Sequence, residues 1–584
     1  MRTTRRAGLR LTLTMVVVFL VVIVFTGRLF QLQVVQAPAL DKISERNLSM
    51  TVTTPGIRGS IIDADGVVLA QSVDRFNVTV APKNFNAGYY KVPGNTNSLV
   101  PLATSLARIS KVTGVSVSVM SAAVEKNPNS LFAYLDKNVT LDTVTKLKAL
   151  DIPGIYYPEV AARSYPNGAV AGNLVGFVGT DGAQAGMELE YNKCLSSTAG
   201  TSTYQTGADG VRIPGSTVKE TDPVNGGTLQ LTIDSQLEYL VDQAITKQAQ
   251  AIGAPWATAV VVRVADGQLL AVSDYPAVDP NNPGATPGKN QGSLAFTQQY
   301  EPGSTFKGMS AAALIDAGAI TPLTQVTVPS VLRLSNGGSI KDSFYHGTLH
   351  YTTAGVLENS SNIGISLLSE SLDAQSRYNY MVKFGVGQKT AVDFPGQLSG
   401  VLPKPPWDPV TTKTVEFGQG VDATSVQVAQ IYQTLANHGV REPLSLVQKC
   451  TEANGTVTDT PTAKPVRVVS AKAADETRAM LETVVTGGPV GPLLRIPGYR
   501  IAAKTGTAQV AKPGGGYGSQ VITSVAGMIP AENPQYVVVV TFGPTTLTTS
   551  TVAAPAFKNV MLDVIDRYRI PPSTTPAPYV ATTW

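Results

Sequence analysis

The sequence predicts an α+β protein tethered by a single membrane helix. An uncharged apolar run lies close to its start. Short Val/Thr-rich runs punctuated by Asp-Gly turns read as strands. In the second half, strands stand at both ends of a region whose middle is helical, the pattern of one antiparallel sheet faced by helices. Composition narrows the class. The 584 residues hold about four domains of ~150 residues. Only 15% are charged, against about 25% in ordinary soluble domains, and 43% are hydrophobic, which excludes a charge-driven disordered chain. A net charge of +4, with no Lys/Arg-rich run beyond the first ten residues, argues against nucleic acid as a partner. Cys194 and Cys450 admit at most one bridge and belong to no Cys-x-x-Cys or Cys/His cluster, which excludes a zinc site and a disulfide scaffold.

The anchor comes first. Arg2, Arg5, Arg6 and Arg10 precede the run LTLTMVVVFLVVIVFTG at residues 11–27, which Arg28 closes. At about 1.5 Å per residue it spans roughly 25 Å, short of a bilayer core unless Arg10 and Arg28 snorkel. The positive-inside bias places residues 1–10 in the cytoplasm and the body, after a stalk at 28–54, on the outer side of the cell membrane. Ala37-Pro38-Ala39 offers a competing cleaved-signal reading. The uncleaved anchor is preferred because Arg28 and the amphipathic LFQLQVV intervene.

Residues 55–227 read as an α+β module, with turns at Asp65-Gly66 and Asp181-Gly182 and a helical stretch at 141–150. After Asn225-Gly226-Gly227 a second domain, 228–571, opens with the strand TLQLTID and the amphipathic helix SQLEYLVDQAITKQAQAI. ATAVVVRV and QLLAVSD follow, joined by a hairpin at Asp266-Gly267. SVAGMIP and QYVVVVTFG form a further strand pair. The Pro/Thr-rich residues 572–584 are expected to be a flexible tail.

Three short strings carry the chemistry. In Ser304-Thr305-Phe306-Lys307, a helix beginning at Ser304 places hydroxyl and amine three residues apart on one face. A neutral, desolvated lysine amine can take the serine proton, and the helix start supplies free N–H groups beside the nucleophile. Ser360-Ser361-Asn362 sits among apolar residues and on its own reads as a helix cap or turn. Lys504-Thr505-Gly506-Thr507 reads as a strand whose glycine admits a close backbone or ligand. Each string alone is commonplace. Together and in this order, Ser-x-x-Lys, Ser-x-Asn and Lys-Thr-Gly form the signature set of penicillin-binding proteins and serine β-lactamases.

On these strings the chain resembles the class B penicillin-binding proteins, the monofunctional peptidoglycan transpeptidases, and most of all the cell-division type. The resemblance runs from the anchor to about residue 560 and includes YEPGSTFK, AAKTGTA, GIRGSIIDADG at 56–66, RSYP at 163–166, AGMELEY at 185–191 and FGQGVDATSVQVAQIYQTLANHG at 417–439. It implies a transpeptidase domain with the serine β-lactamase-like fold, preceded by an elongated pedestal over 55–227. One departure stands out: Ala64 follows Asp63 where the family usually has arginine, which touches a local pedestal contact.

The resemblance further implies that Ser304 attacks the penultimate D-alanine of a stem peptide and holds the donor as an acyl-enzyme. Lys307 accepts the serine proton, Ser360 passes a proton to the leaving amine, and Asn362 holds Lys307 or the donor amide. Lys504 supports that network, while Thr505, Gly506 and Thr507 form the strand that binds the substrate carboxylate. The implied partners are peptidoglycan stem peptides, β-lactams and a SEDS-type glycan polymerase with other divisome membrane proteins. No cofactor is implied, and no Walker or Rossmann loop is present. Asp342, His346 and His350 imitate metal ligands, but a strand-like segment need not bring them to one face. An elongation-type enzyme, a non-catalytic structural member of a wall-synthesis complex and a β-lactam-hydrolysing or sensing protein are the competing readings.

Overall fold

The computed structural model describes residues 3–85, 100–179, 181–207, 211–217, 219–512, 516–547, 549 and 551–584. The Arg2 charge lies outside them. Helix α1 (Thr3–Phe30) is longer than the run that predicts it and continues as a π-helical turn, Gln31–Val35. Ala7–Val35 is the one stretch among the described residues long and apolar enough to cross a membrane, and its Leu, Val and Phe side chains are exposed. Ala37-Pro38-Ala39 opens a further helix, Ala37–Leu48.

The chain divides into two compact units, Met1–Ile57 with Ser197–Asn225, and Arg58–Ser196 with Gly226–Trp584. In the first, Ser49–Thr54, Gly200–Gln205 and Lys219–Thr221 form a three-stranded antiparallel sheet. In the second, an eight-stranded sheet crosses the boundary predicted at 227. Ile61–Ile62 pairs in parallel with Thr228–Leu231, which pairs antiparallel with Val447–Thr451. Three of the sequence strings meet here. The buried carboxylate of Glu188 takes Arg58 and Arg163, each at 2.6 Å, and the Tyr165 hydroxyl at 3.4 Å. Asp63 accepts from the Asp65 and Val67 N–H groups, and from the Ser235 N–H and hydroxyl across the boundary. At the departure, Ala64 uses only its backbone, donating to Ile233 O and accepting from Gln230 Nε2. A disulfide joins Cys194 to Cys450.

Along residues 228–571 run helix α2 (Ser235–Ile252), strands β1 (Trp256–Arg263) and β2 (Leu269–Tyr275), helix α3 (Lys307–Asp316), strands β3 (Gln325–Val328) and β4 (Leu349–Thr352), and helices α4 (Thr353–Glu358) and α5 (Asn362–Leu368). Helices α6 (Ser425–Ala436) and α7 (Ala471–Thr486), strands β5 (Ala502–Ala511), β6 (Tyr517–Ile529) and β7 (Tyr536–Thr545), and helix α8 (Ala554–Tyr568) complete it. The main sheet is antiparallel throughout in the order β2-β1-β7-β6-β5. Strand side chains alternate between faces. Ala259, Val261, Val538 and Val540 therefore pack with Leu237 and Val241 of α2 and Phe557 and Val560 of α8. Val260, Val262, Val537 and Val539 face the larger core, which α3 and α6 share. β5 is an edge strand, so alternate N–H groups along it lack a ladder partner.

Residues 572–584 differ from the expected flexible tail. Proline removes N–H donors there, but the Ser and Thr hydroxyls and the free carbonyls find partners on the body: Ser573 Oγ accepts from Arg500 N and Ala581 O from the Thr352 hydroxyl.

Candidate active site

The turn that holds Ser304 is tighter than the sequence suggests. Gly303–Phe306 is a 3-10 turn, and the α-helix starts at Lys307. Three residues per turn eclipse positions i and i+3, so the Lys307 amine stands directly over the serine. Nζ lies 2.9 Å from Ser304 Oγ. Gly303 takes a φ of +56°, and its N–H donates to Gly418 O, which fixes the turn's entry.

Ser360 lies between α4 and α5 with a φ of +59°, a left-handed conformation that costs a non-glycine residue on the order of 1–3 kcal/mol and that surrounding structure must enforce. Ser361 caps α5, accepting from Gly364 N at 2.8 Å. The cap and the turn are thus both real, and they bring the motif to Lys307. Nζ reaches Ser360 O at 2.5 Å, Asn362 Oδ1 at 2.7 Å and Ser360 Oγ at 3.3 Å. Ser360 O and Asn362 Oδ1 can only accept. A neutral amine spends its two N–H groups on them and leaves its lone pair to the Ser304 hydroxyl. Electrostatics favour that neutral form: burial, then the Lys504 charge, hold the Lys307 amine well below the usual lysine range, against a smaller opposing pull from Asp342.

Lys504 and Thr505 are buried in β5. Burial lowers Lys504 to about 7, and its one hydrogen bond among the described residues, to Thr505 O, is long at 3.3 Å. Gly506 is where the strand meets the turn that holds Ser304. A Cβ there would stand 2.9 Å from Pro302 O and 2.4 Å from Ser524 Oγ, so glycine alone fits. Thr507, on the same strand as Gly506, abuts Gly303, and its buried Oγ1 has no hydrogen-bond partner among the described residues. An orphaned buried hydroxyl on the strand that meets the Ser304 turn is a free donor for a ligand oxygen.

Two carboxylates escape motif reading. Asp342 accepts from Ser361 Oγ at 2.7 Å and from the N–H groups of Asn362 at 2.6 Å and Ile363 at 3.0 Å, seating the start of α5. Its only sequence signal was an acid among hydroxyls and aromatics in KDSFYH. His346 does meet Asp342, at 3.2 Å, but His350 turns to Thr327 and Trp584, and no metal-binding group of three exists among the described residues. Glu301, inside YEPGSTFK, accepts from Gly420 N and the Tyr517 hydroxyl through Oε1.

Comparison with known proteins places the whole chain. Residues 257–562 match the family described as penicillin binding protein transpeptidase domain, and 53–231 match the penicillin-binding protein dimerisation domain. The chain is 33% identical to penicillin-binding protein PbpB of Mycolicibacterium smegmatis over 96% of its own length and 90% of the relative's. It is 30% identical to peptidoglycan D,D-transpeptidase FtsI of Escherichia coli K12, over 94% and 90%. Its fold is similar to that of penicillin binding protein 3 from Mycobacterium tuberculosis complexed with aztreonam, with a TM-score of 0.68 and 26% identity over 91% of this chain and 100% of that one. A peptidoglycan synthetase from Bifidobacterium adolescentis gives a TM-score of 0.71 and 29% identity over 92% and 100%.

Proposed function

The chain belongs to the class B penicillin-binding proteins, and on that premise we propose how the residues gathered around Ser304 carry out its reaction. It is a peptidoglycan D,D-transpeptidase of the cell-division type. One observation carries the assignment of roles: the buried Lys307 Nζ lies within hydrogen-bond distance of Ser304 Oγ, Ser360 O and Asn362 Oδ1, so that once burial has neutralised the amine its two N–H groups go to the two carbonyl oxygens and its lone pair faces the Ser304 hydroxyl.

Ser304 Oγ bonds to the carbonyl carbon of the penultimate D-alanine while its proton passes to Lys307 Nζ. Backbone N–H groups of Ser304 and Thr507 hold the oxyanion, where one such donor is worth about 10²–10³ in rate. The amide C–N bond then breaks. The proton returns from Lys307 by way of the Ser360 hydroxyl to the leaving D-alanine amine, and the donor remains as an ester on Ser304. An amine from a neighbouring stem attacks the ester carbonyl, its proton passes through Ser360 and Lys307 to Ser304 Oγ as the ester C–O bond breaks, and the new amide is the cross-link. Lys504 and the hydroxyls of Thr505 and Thr507 hold the donor's terminal carboxylate against Gly506. A β-lactam offers a strained amide to the same attack and leaves Ser304 blocked.

Residues 1–10 lie in the cytoplasm and the catalytic body lies outside the membrane, a reading supported by the arginines before the apolar run. A SEDS-type polymerase engages the chain through its membrane helix and pedestal; this rests on the exposed apolar side chains of α1 and the family's class. The full-length protein in detergent, given a thioester donor that mimics the stem terminus and a D-amino acid acceptor, tests the chemistry. Acceptor-dependent exchange product is expected, lost in Ser304→Ala. Hydrolysis alone would contradict transpeptidation, and neither product would favour the structural, non-catalytic reading.

A further inference from the structure

The segment after α8 touches both motif-bearing walls of the site. Near its start, Ser573 N donates to Gly498 O at 2.8 Å, and Arg500 donates to Ser573 Oγ and Thr575 Oγ1, each at 2.9 Å. Arg500 stands just before β5, the strand of Lys504 and Thr507. Near its end, the segment lies antiparallel to β4, with Thr583 opposite Tyr351. Thr352 N donates to Thr582 O at 3.1 Å, and Trp584 Nε1 donates to Tyr351 O at 3.1 Å. The Trp584 ring meets His350 edge-on, with centroids 4.8 Å apart. β4 runs directly into α4, and α4 ends at the strained Ser360 turn.

The fit is specific. The Thr352 hydroxyl caps α4, accepting from Gly355 N at 3.2 Å, and spends its own proton on Ala581 O at 2.6 Å. Gly355, inside α4, has no room for a side chain: a Cβ would fall 1.8 Å from Thr582 O. A glycine inside a helix is less stable there than alanine would be, so its presence here is explained by the strand that lies on it.

We infer that residues 573–584 are a clasp that sets the spacing between the Ser360/Asn362 loop and the Lys504 strand, making Thr352, Gly355 and Trp584 positioning residues for acylation. The inference rests on the reading of Ser304, Lys307 and Ser360 given above. Holding α4 at its start restricts where Ser360 O can sit, and Ser360 O is one of the two acceptors that turn the Lys307 lone pair toward Ser304.

The test uses the full-length protein in detergent and a fluorescent penicillin, with the noncovalent complex and the first-order acylation step measured separately. Ending the chain after Thr575 is expected to slow the acylation step about tenfold or more, toward the roughly 10² that a ~1 Å misplacement costs, with the noncovalent step little changed. Gly355→Ala, which forces the strand away, is expected to slow the full chain by a similar factor and to add nothing in the shortened chain. That non-additivity separates positioning from a general loss of stability, which thermal unfolding of all four proteins records. Equal acylation with and without residues 576–584, or a Gly355→Ala effect of the same size in both backgrounds, would overturn the clasp alone. A full-length protein that takes no penicillin on Ser304 would overturn the reading of the site, and the clasp with it.

Discussion

At the scale of single residues, the chemistry turns on the protonation of Lys307. A lysine held in the ammonium form has no lone pair and cannot accept the serine proton. Here burial and the neighbouring Lys504 charge lower its pKa well below 10.5. The acylation step should therefore rise with pH through that lowered pKa and level off before the range where an ordinary lysine titrates. Lys307→Arg keeps the charge but cannot deprotonate, so it should lose about 10²–10⁴ in acylation rate, the usual worth of a positioned base. Stopped-flow acylation by penicillin checks both; an arginine variant within tenfold of wild type would remove Lys307 as the base. Ser304, Lys307, Ser360, Asn362 and Lys504 were legible because fixed spacings mark them. Asp342 was not, because a residue that seats a helix start can come from any loop that reaches it.

At the scale of elements, the amphipathic and alternating patterns gave α2 and the β1-β2 and β6-β7 pairs, since burial of one face writes itself into the period. The 3-10 turn at Ser304 was hidden, because side-chain spacing i, i+3 suits α and 3-10 geometry alike. The docking of 573–584 was hidden too: its proline and threonine content is that of a linker, and its partners, Thr352 and Arg500, lie far off in sequence. The same distance hid the Cys194–Cys450 disulfide, whose cysteines are 256 residues apart. A cross-link closing so long a loop restricts the unfolded chain most. Cys450→Ser should cost about 2–5 kcal/mol in denaturant unfolding of the full-length protein, while penicillin labelling of Ser304 at 25 °C persists, since neither cysteine contacts the site. Unchanged unfolding would show that the bridge does not constrain the chain.

At the scale of the whole molecule, three acids, Asp274 on β2 and Glu238 and Asp242 on α2, couple stability to pH. Burial raises Glu238 to about 8, Asp274 to about 7 and Asp242 to about 6. Each folded pKa lies above its unfolded value, so each group's contribution is fully present below about pH 4 and is lost as pH rises through 6 to 8. The melting temperature should fall between about pH 4 and pH 8, and Glu238→Gln should flatten that fall; an unchanged slope would contradict it. The proposed reaction proceeds through an ester on Ser304. Intact-mass spectrometry of the full-length protein after penicillin treatment tests this most directly. One adduct per chain, mapped to the peptide bearing Ser304 and absent from Ser304→Ala, is the predicted result; a folded wild-type protein with no adduct, or an adduct that survives in Ser304→Ala, would contradict it.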